Sequence, residues 1–565
     1  MARLRSLLGP DVVGRFGRYG GLAIVLFGFV LRARGLSEYW LNPDEGIYYS
    51  TLTRGSFSAF WAEVLANAHP PGFYLMLRGL GYLTWDFVWL RGSSVLFGTG
   101  AIAAFYVLGR ALGGPGVRGV VTGLGAAALL GFSPEAIVLS QVLRPYMLVV
   151  FLLATATACL LRYLALPEPD REGSPRLLAT YAGALCAAAM SHYSAAFGLA
   201  VLSGLIAFEV VGGNLRGVPL RRIVIAHAVP STLMVILYAW HLRASLGSEL
   251  MGQALGPGGW LSEWLIDSPE AAWRSFVTFQ NFHVPPWLRV RSGLLLLAAV
   301  AVSATARDKT VAVLAGSALI LAIGGSVSGI YPFGPSRHNA WLVVFTIPAL
   351  AWLGGWIVGS GGRQAAVRAL VLIVALGAGT ALEHPLGGPE ARAVAVSTNA
   401  TGERVIRRAD LAPLIVRWLT PEEGPELVIM TEQSYNVLMP LFTLDRETTV
   451  FSADSAVSTF AYGPRRVVVA RSWDWDDPRH VARVVGGLRT AIPELVGPDV
   501  DRVLVVAGGW GSELVADVPA LVANQIVIDQ GWAVGVDAAG TVVPRMAALF
   551  MDRARLVAAY GPPGA

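Results

Sequence analysis

From about Gly20 to Leu382 the chain keeps returning to apolar runs close to the roughly 20 residues that an α-helix needs to cross a bilayer. The runs fall near 20–36, 72–90, 92–110, 118–133, 145–165, 177–190, 194–212, 221–244, 290–306, 310–330, 340–360 and 366–382. No ordinary soluble domain has this pattern, and the composition agrees. Of 565 residues 54% are hydrophobic and 14% charged, and the mean hydropathy is +0.56. The first run lacks a small-residue cleavage site after it, so Gly21 to Val30 is expected to stay as part of a span.

Charge assigns sides to the spans. Arg3, Arg5, Arg15 and Arg18 place the N-terminus in the cytoplasm. Arg162, Arg171 and Arg176, then Arg216, Arg221 and Arg222, then Arg307 and Lys309, then Arg363 and Arg368 mark further cytoplasmic turns. An even number of crossings would bring the tail back to the cytoplasm, whereas this charge pattern puts it outside. The conflict localises to 72–134, where either one segment does not span, as Arg110 and Arg118 favour, or there is one further crossing. Basic residues outnumber acidic ones before His384 and the reverse holds after it. The basic loops suit anionic lipid headgroups, and no basic stripe with interleaved aromatics suggests nucleic acid. Cys159 and Cys186 lie in apolar runs and read as buried thiols.

Beyond about Glu390 the pattern changes to short β-rich runs at Glu426–Met430, Arg466–Ala470 and Val503–Ala507, with helical and turn segments such as Pro478–Arg489 between them. This alternation predicts a small α/β domain with a mainly parallel sheet. Gly508-Gly-Trp-Gly511 follows a strand without being a dinucleotide fingerprint and reads as a turn. The expected fold is a polytopic α-helical membrane protein with about 11–13 transmembrane helices and a C-terminal extracytoplasmic α/β domain. The transmembrane module covers 1–385, with a first outer loop at 37–71, and the α/β domain covers 386–565. In that loop Phe57, Phe60, Trp61, Val64 and Leu65 recur at helical spacing and suggest a short interfacial helix. The aromatics Trp260, Trp264, Trp273, Phe276, Phe279, Phe282 and Trp287 read as an interfacial belt in preference to a platform that stacks on a sugar.

Nearly all the unusual polar residues fall on the outward side. Asp44 and Glu45 stand in Tyr39-Trp-Leu-Asn-Pro-Asp-Glu-Gly-Ile-Tyr48. Either carboxylate can act as a general base. Either also suits the start of a helix after Pro43, where acidic residues are favoured. His69-Pro70-Pro71 fixes an extended entry into the next run, and its imidazole can bind phosphate or a sugar hydroxyl. Arg144-Pro145-Tyr146 puts a guanidinium at membrane depth, where it seeks an anion or snorkels to headgroups. His192-Tyr193 lies at an outer turn, and Tyr331-Pro-Phe-Gly-Pro-Ser-Arg337-His338-Asn339 forms a rigid, cationic loop suited to phosphate. Glycosyl transfer from a lipid phosphate needs a base, cations for the departing phosphate and a groove open to lipid.

In order and spacing, Asp44-Glu45, His69-Pro-Pro-Gly-Phe-Tyr74, Arg91, Ser140-Gln-Val-Leu-Arg144-Pro-Tyr146 and His192-Tyr193 resemble the polytopic, lipid-phosphate-dependent GT-C glycosyltransferases of the protein O-mannosyltransferase and aminoarabinose transferase type. The resemblance covers about the first 200 residues and implies a GT-C-like fold in a bacterial-type plasma membrane. It also implies a polyprenyl-phosphate-linked sugar as donor, an extracytoplasmic active site and acceptor, and inverting displacement with an acidic base at Asp44, Glu45 beside it. Donor-phosphate contacts are expected from His69, Arg91, Arg144, Tyr146, His192, Tyr193, Arg337 and His338, in part from the chemistry of these residues alone. No cofactor and no obligatory metal is expected, since no metal-ligand spacing occurs. Residues 390–565 match no domain associated with that group. A lipid or sugar transporter or flippase would instead spread polar residues across membrane depth, and a non-catalytic scaffold with an outer binding domain would tolerate replacement of Asp44.

Overall fold

The computed structural model describes residues 10–243, 262–284, 288–306, 309–359, 408, 426–443, 457–462, 465–470, 500–508 and 546–552, with isolated positions between 483 and 495. Of the sequence expectations, the run at 366–382, Trp260, Trp287, Arg307, Arg363, Arg368 and residues 509–511 lie outside the described residues. In chain order the helices are α1 (Pro10–Ala33), α2 (Pro43–Leu52), α3 (Phe57–Ala66), α4 (Pro71–Gly81), α5 (Phe87–Gly113), α6 (Gly116–Phe132), α7 (Pro134–Leu139), α8 (Tyr146–Leu164) and α9 (Glu168–Glu172). They continue with α10 (Pro175–Ser191), α11 (Ala195–Val211), α12 (Gly217–Leu237), α13 (Pro269–Phe279), α14 (Arg289–Thr305), α15 (Thr310–Val327) and α16 (Val343–Val358). A sheet of β1 (Leu427–Thr431), β2 (Val457–Tyr462), β3 (Arg465–Ala470), β4 (Arg502–Gly508) and β5 (Met546–Asp552) follows, with α17 (Glu432–Thr443) after β1. The chain is a polytopic α-helical membrane protein with a small C-terminal sheet domain.

Six helices among the described residues are long and apolar enough to cross a membrane: Val12–Ala33, Phe87–Gly113, Tyr146–Leu164, Gly217–Leu242, Thr310–Val327 and Arg337–Val358. The run at 72–90 does not form one span. It breaks into the 11-residue α4 and the start of α5, and α4 at about 1.5 Å per residue is too short for a bilayer.

The chain divides into two units. The first comprises Met1–Arg34, Leu65–Leu75 and Arg91–Thr401, and its core is one apolar cluster shared by the long helices. Small residues let backbones approach inside it, as bilayer helices require: a Cβ on Gly109 of α5 would lie 2.6 Å from the Thr122 carbonyl oxygen of α6. Phe276, Phe279 and Phe282 are buried in this core, with Trp273 against it. The belt expected at these positions is therefore interior packing.

The second unit comprises Gly35–Val64, Met76–Leu90 and Gly402–Ala565. Its sheet runs β2-β3-β1-β4-β5. β1 pairs in parallel with β3 and β4, while β2 and β5 close the edges antiparallel. The sheet is thus mixed, with its parallel part at the centre. In the same unit α3 forms where the aromatic spacing predicts, with Phe60 and Val64 buried and Phe57 exposed. Arg78 of α4 holds the chain ahead of α3 by donating to the Leu52 and Arg54 carbonyls, and its guanidinium lies 5.4 Å from the Phe60 ring.

Candidate active site

In the first unit four separated sequence motifs come together around one side chain. The Tyr146 hydroxyl accepts from Arg144 Nη2 at 2.9 Å and from Arg337 Nε at 3.2 Å. Around it stand three imidazoles. The His192 ring lies 5.2 Å from Tyr146 and 5.1 Å from His69, while His338 lies 6.2 Å from Tyr146 and 6.4 Å from His192. Arg144, Tyr146, His192 and Arg337 are buried, whereas His69 and His338 are partly exposed.

Local sequence explains each placement. Pro71 opens α4, and a Cβ on Gly72 would meet the Met190 carbonyl oxygen at 2.6 Å, so glycine permits α4 to start against the end of α10. That approach brings His69 beside His192, the C-cap of α10. Ser194 fixes the His192 ring: its backbone N–H donates to Nδ1 at 3.1 Å and its hydroxyl lies 2.8 Å away. Neutral His192 therefore carries its proton on Nε2.

The Ser140-to-Tyr146 motif splits into two jobs. Arg32, at the end of α1, donates to Ser140 Oγ at 3.0 Å and to the Leu130 and Gly131 carbonyls of α6. Gln141 Nε2 returns to the Arg32 carbonyl at 3.0 Å and the Arg34 carbonyl at 2.7 Å. Ser140 and Gln141 thus anchor the segment, and Arg144 and Tyr146 face the cluster. On the opposite side, Asn339 Nδ2 donates to the Pro332 and Gly334 carbonyls, and the Tyr331 hydroxyl donates to the His338 carbonyl at 2.7 Å. The loop is held rigid as Arg337 and His338 enter the site.

Burial, followed by the charges of Arg144 and Arg337, pushes His192 down to about 3. His69 is also held well below the usual imidazole range, first by burial and then by His192, Arg144, His338 and Arg337. At neutral pH the positive charge of the site resides in the guanidiniums. Such an arrangement offers an anion two cations and neutral imidazole and phenol groups able to hydrogen-bond its oxygens. Among the described residues no three His, Cys, Asp or Glu side chains converge to hold a metal ion.

Tyr193 is hydrogen-bonded to His241 Nδ1. Arg91 is buried within α5. Ser194, Tyr331, His241 and Arg32 are polar residues of this unit that carried no weight of their own in the sequence. Ser194 and Arg32 do have a local signal, each placed at a helix end where polar side chains serve backbone groups. His241 has none, since it meets Tyr193 only across 48 residues.

Asp44 and Glu45 belong to the second unit, in the first turn of α2. Asn42 caps that helix: its Oδ1 accepts from the Glu45 N–H at 2.8 Å, and Glu45 Oε2 accepts from the Asn42 N–H at 3.2 Å. Glu45 is fully buried in this reciprocal cap, while Asp44 is partly exposed. The adjacent carboxylates are thus unequal, and the helix-start role falls to Glu45.

No family model and no curated protein matches the chain. Among solved structures, ArnT from Cupriavidus metallidurans in the apo state matches with a TM-score of 0.49 at 15% identity, covering 96% of this chain and 98% of that one. ArnT from the same organism bound to undecaprenyl phosphate matches with a TM-score of 0.47 at 14% identity, covering 94% of this chain and 97% of that one.

Proposed function

We propose that the protein is an integral-membrane glycosyltransferase that moves a sugar from a polyprenyl-phosphate donor to an extracytoplasmic acceptor, whether protein, lipid or glycan. The observation that carries this reading is the convergence of Arg144 and Arg337 on the Tyr146 hydroxyl beside His69, His192 and His338. Two guanidiniums gathered with imidazoles around one phenol suit the oxygens of an anion, which charge-assisted hydrogen bonds hold. A lipid-linked phosphate supplies that anion.

In the proposed reaction the Asp44 carboxylate takes the proton of the acceptor hydroxyl. The hydroxyl oxygen attacks the anomeric carbon from the face opposite the phosphate. The bond from that carbon to the phosphate oxygen breaks, and its electron pair leaves with the phosphate, whose growing charge Arg144 and Arg337 stabilise. The configuration at the anomeric carbon is inverted.

The test is a transfer assay on the purified protein in nanodiscs, with a polyprenyl-phosphate sugar as donor. Asp44→Asn is expected to lower kcat by about 10³-fold or more, the scale of losing a general base, while donor binding persists. Turnover near the wild-type rate in that variant would remove Asp44 from the reaction. Arg337→Ala is expected to weaken donor binding by about ten-fold or more. An unchanged donor KM would count against the phosphate reading.

A further inference from the structure

We infer that the C-terminal domain positions the helix that carries Asp44, and that Trp40, Gly46 and Asn436 are positioning residues for the transfer reaction. This inference rests on the reading of Asp44 as the base. The domain would act in the reaction by holding the base in place, with no substrate contact of its own required.

Helix α2 has ten residues, and eight of them are buried. A helix this short is marginal by itself, since isolated helices need about 12–15 residues even with favourable sequences. Its order comes from what it packs against. One partner is α17, the helix that leaves β1 at the centre of the domain's sheet. A Cβ on Gly46 would lie 2.5 Å from the Asn436 carbonyl oxygen and 2.9 Å from its Cβ, so the two backbones touch and only glycine fits.

The sequence of α17 explains why a carbonyl points outward there. Pro440 lies inside the helix and carries no N–H, so it cannot bond the Asn436 carbonyl four residues back. The Gly46 backbone packs against that oxygen in its place. One residue further on, the Val437 carbonyl accepts from the Trp40 indole N–H at 2.8 Å. The chain entering α2 is held from the same side: the Arg408 N–H donates to the Glu38 carbonyl at 2.9 Å, and the Arg408 guanidinium lies 5.6 Å from the Trp40 ring. At its far end α2 is tied by the Tyr49 hydroxyl to the Trp85 carbonyl at 2.7 Å.

Asp44 therefore sits between two attachments to one element of the domain, Trp40 four residues before it and Gly46 two residues after it. Its carboxylate moves with the frame of β1 and α17. A displacement of about 1 Å in a catalytic group is enough to cost about a hundred-fold in rate.

The experiment combines kinetics with hydrogen exchange on the full chain in nanodiscs, comparing wild type, Gly46→Ala and Trp40→Phe. Gly46→Ala is expected to lower kcat by about ten- to a hundred-fold with donor KM within about two-fold. Exchange protection should fall in both 43–52 and 432–443 and stay unchanged in 146–164. Trp40→Phe keeps an aromatic six-membered ring and loses the fused pyrrole with its N–H donor, a smaller change than a backbone clash, so it is expected to fold and to show the same pattern with about a three- to ten-fold loss of kcat. A wild-type kcat in either variant with lost protection overturns the inference. A lost kcat with full protection of both segments also overturns it. Asp44→Asn is measured alongside. If it retains turnover, the base reading fails, while the exchange data still report whether the domain holds α2.

Discussion

Glu45 and Asp44 are neighbours of the same chemical type, and their surroundings separate them. The Glu45 carboxylate closes a cap with Asn42, so its contribution is to the stability of α2. Glu45→Ala is expected to cost about 1 kcal/mol, the usual value of a lost cap. Glu45→Gln keeps an acceptor oxygen and is expected to hold stability and kcat near wild type. Hydrogen exchange in 43–52 with turnover rates checks both. Equal, large losses of kcat in the two variants would show that the carboxylate itself is chemical. In the other unit Tyr146 receives both guanidiniums. Tyr146→Phe removes the hydroxyl that both guanidiniums share and is expected to raise donor KM about ten-fold, the scale of a lost hydrogen bond to a charged group. A kcat effect without a KM effect would place the phenol in the chemical step. The identities of these side chains were legible in the sequence, while their division of labour was not. Adjacent carboxylates look alike until the helix register assigns one to the cap.

At the scale of elements, the phosphate-type cluster depends on how α4 begins against α10. Gly72 permits that approach, because a Cβ there would meet the Met190 carbonyl oxygen at 2.6 Å. Gly72→Ala is expected to lower the melting temperature and to raise donor KM as His69 moves away from His192. Gly79→Ala on the same helix has open space around its Cβ. It is expected to be neutral or stabilising by about 0.5–1 kcal/mol from helix propensity. Thermal melting of the two variants side by side distinguishes backbone contact from a general effect of glycine in α4. Hydropathy revealed the long apolar helices but joined α4 to the start of α5, since it passes over the one mark of the break, Asp86, whose carboxylate accepts from the Val88 N–H at 2.7 Å. Similarly, β1, β3 and β4 were visible because central parallel strands are apolar on both faces. The edge strands β2 and β5 have weaker patterns, Val457-Ser-Thr-Phe-Ala-Tyr462 and Met546-Ala-Ala-Leu-Phe-Met-Asp552.

For the whole molecule, the depressed imidazoles link stability and binding to pH. His192 stands near 3 in the folded protein against 6.5 in an unfolded chain. Above 6.5 both states are neutral there and the contribution is complete. As pH falls from 6.5 toward 3 the unfolded chain takes up a proton that the folded one refuses, so stability falls by about 1.4 kcal/mol per pH unit. His69 is depressed in the same direction and adds to the slope. Melting temperatures in detergent between pH 7.5 and 5 are expected to drop, and less so for His192→Asn. Because burial is the first cause of the depression and the charges of Arg144 and Arg337 come after it, both imidazoles stay neutral between pH 7.5 and 5.5. Binding of the donor phosphodiester, which does not titrate in this range, is therefore expected to be flat with pH and to take up no protons. Calorimetry in two buffers of different ionisation enthalpy checks this, and proton uptake on binding would show that the phosphate protonates an imidazole.

The sequence by itself determined the class of the molecule and the chemistry it carries. Runs of about 20 apolar residues specify a bilayer protein through burial and backbone satisfaction alone, and the types of residue at 44, 69, 144, 192 and 337 specify an acid and a set of cationic and imidazole groups. The tertiary structure alone decided which of these meet. Arg144 and Arg337 share the Tyr146 hydroxyl across 191 residues of chain. Trp40 reaches the Val437 carbonyl across 397. Such contacts depend on how helices pack and where glycine lets backbones approach, and neither periodicity nor motif spacing encodes distance between segments so far apart in the chain.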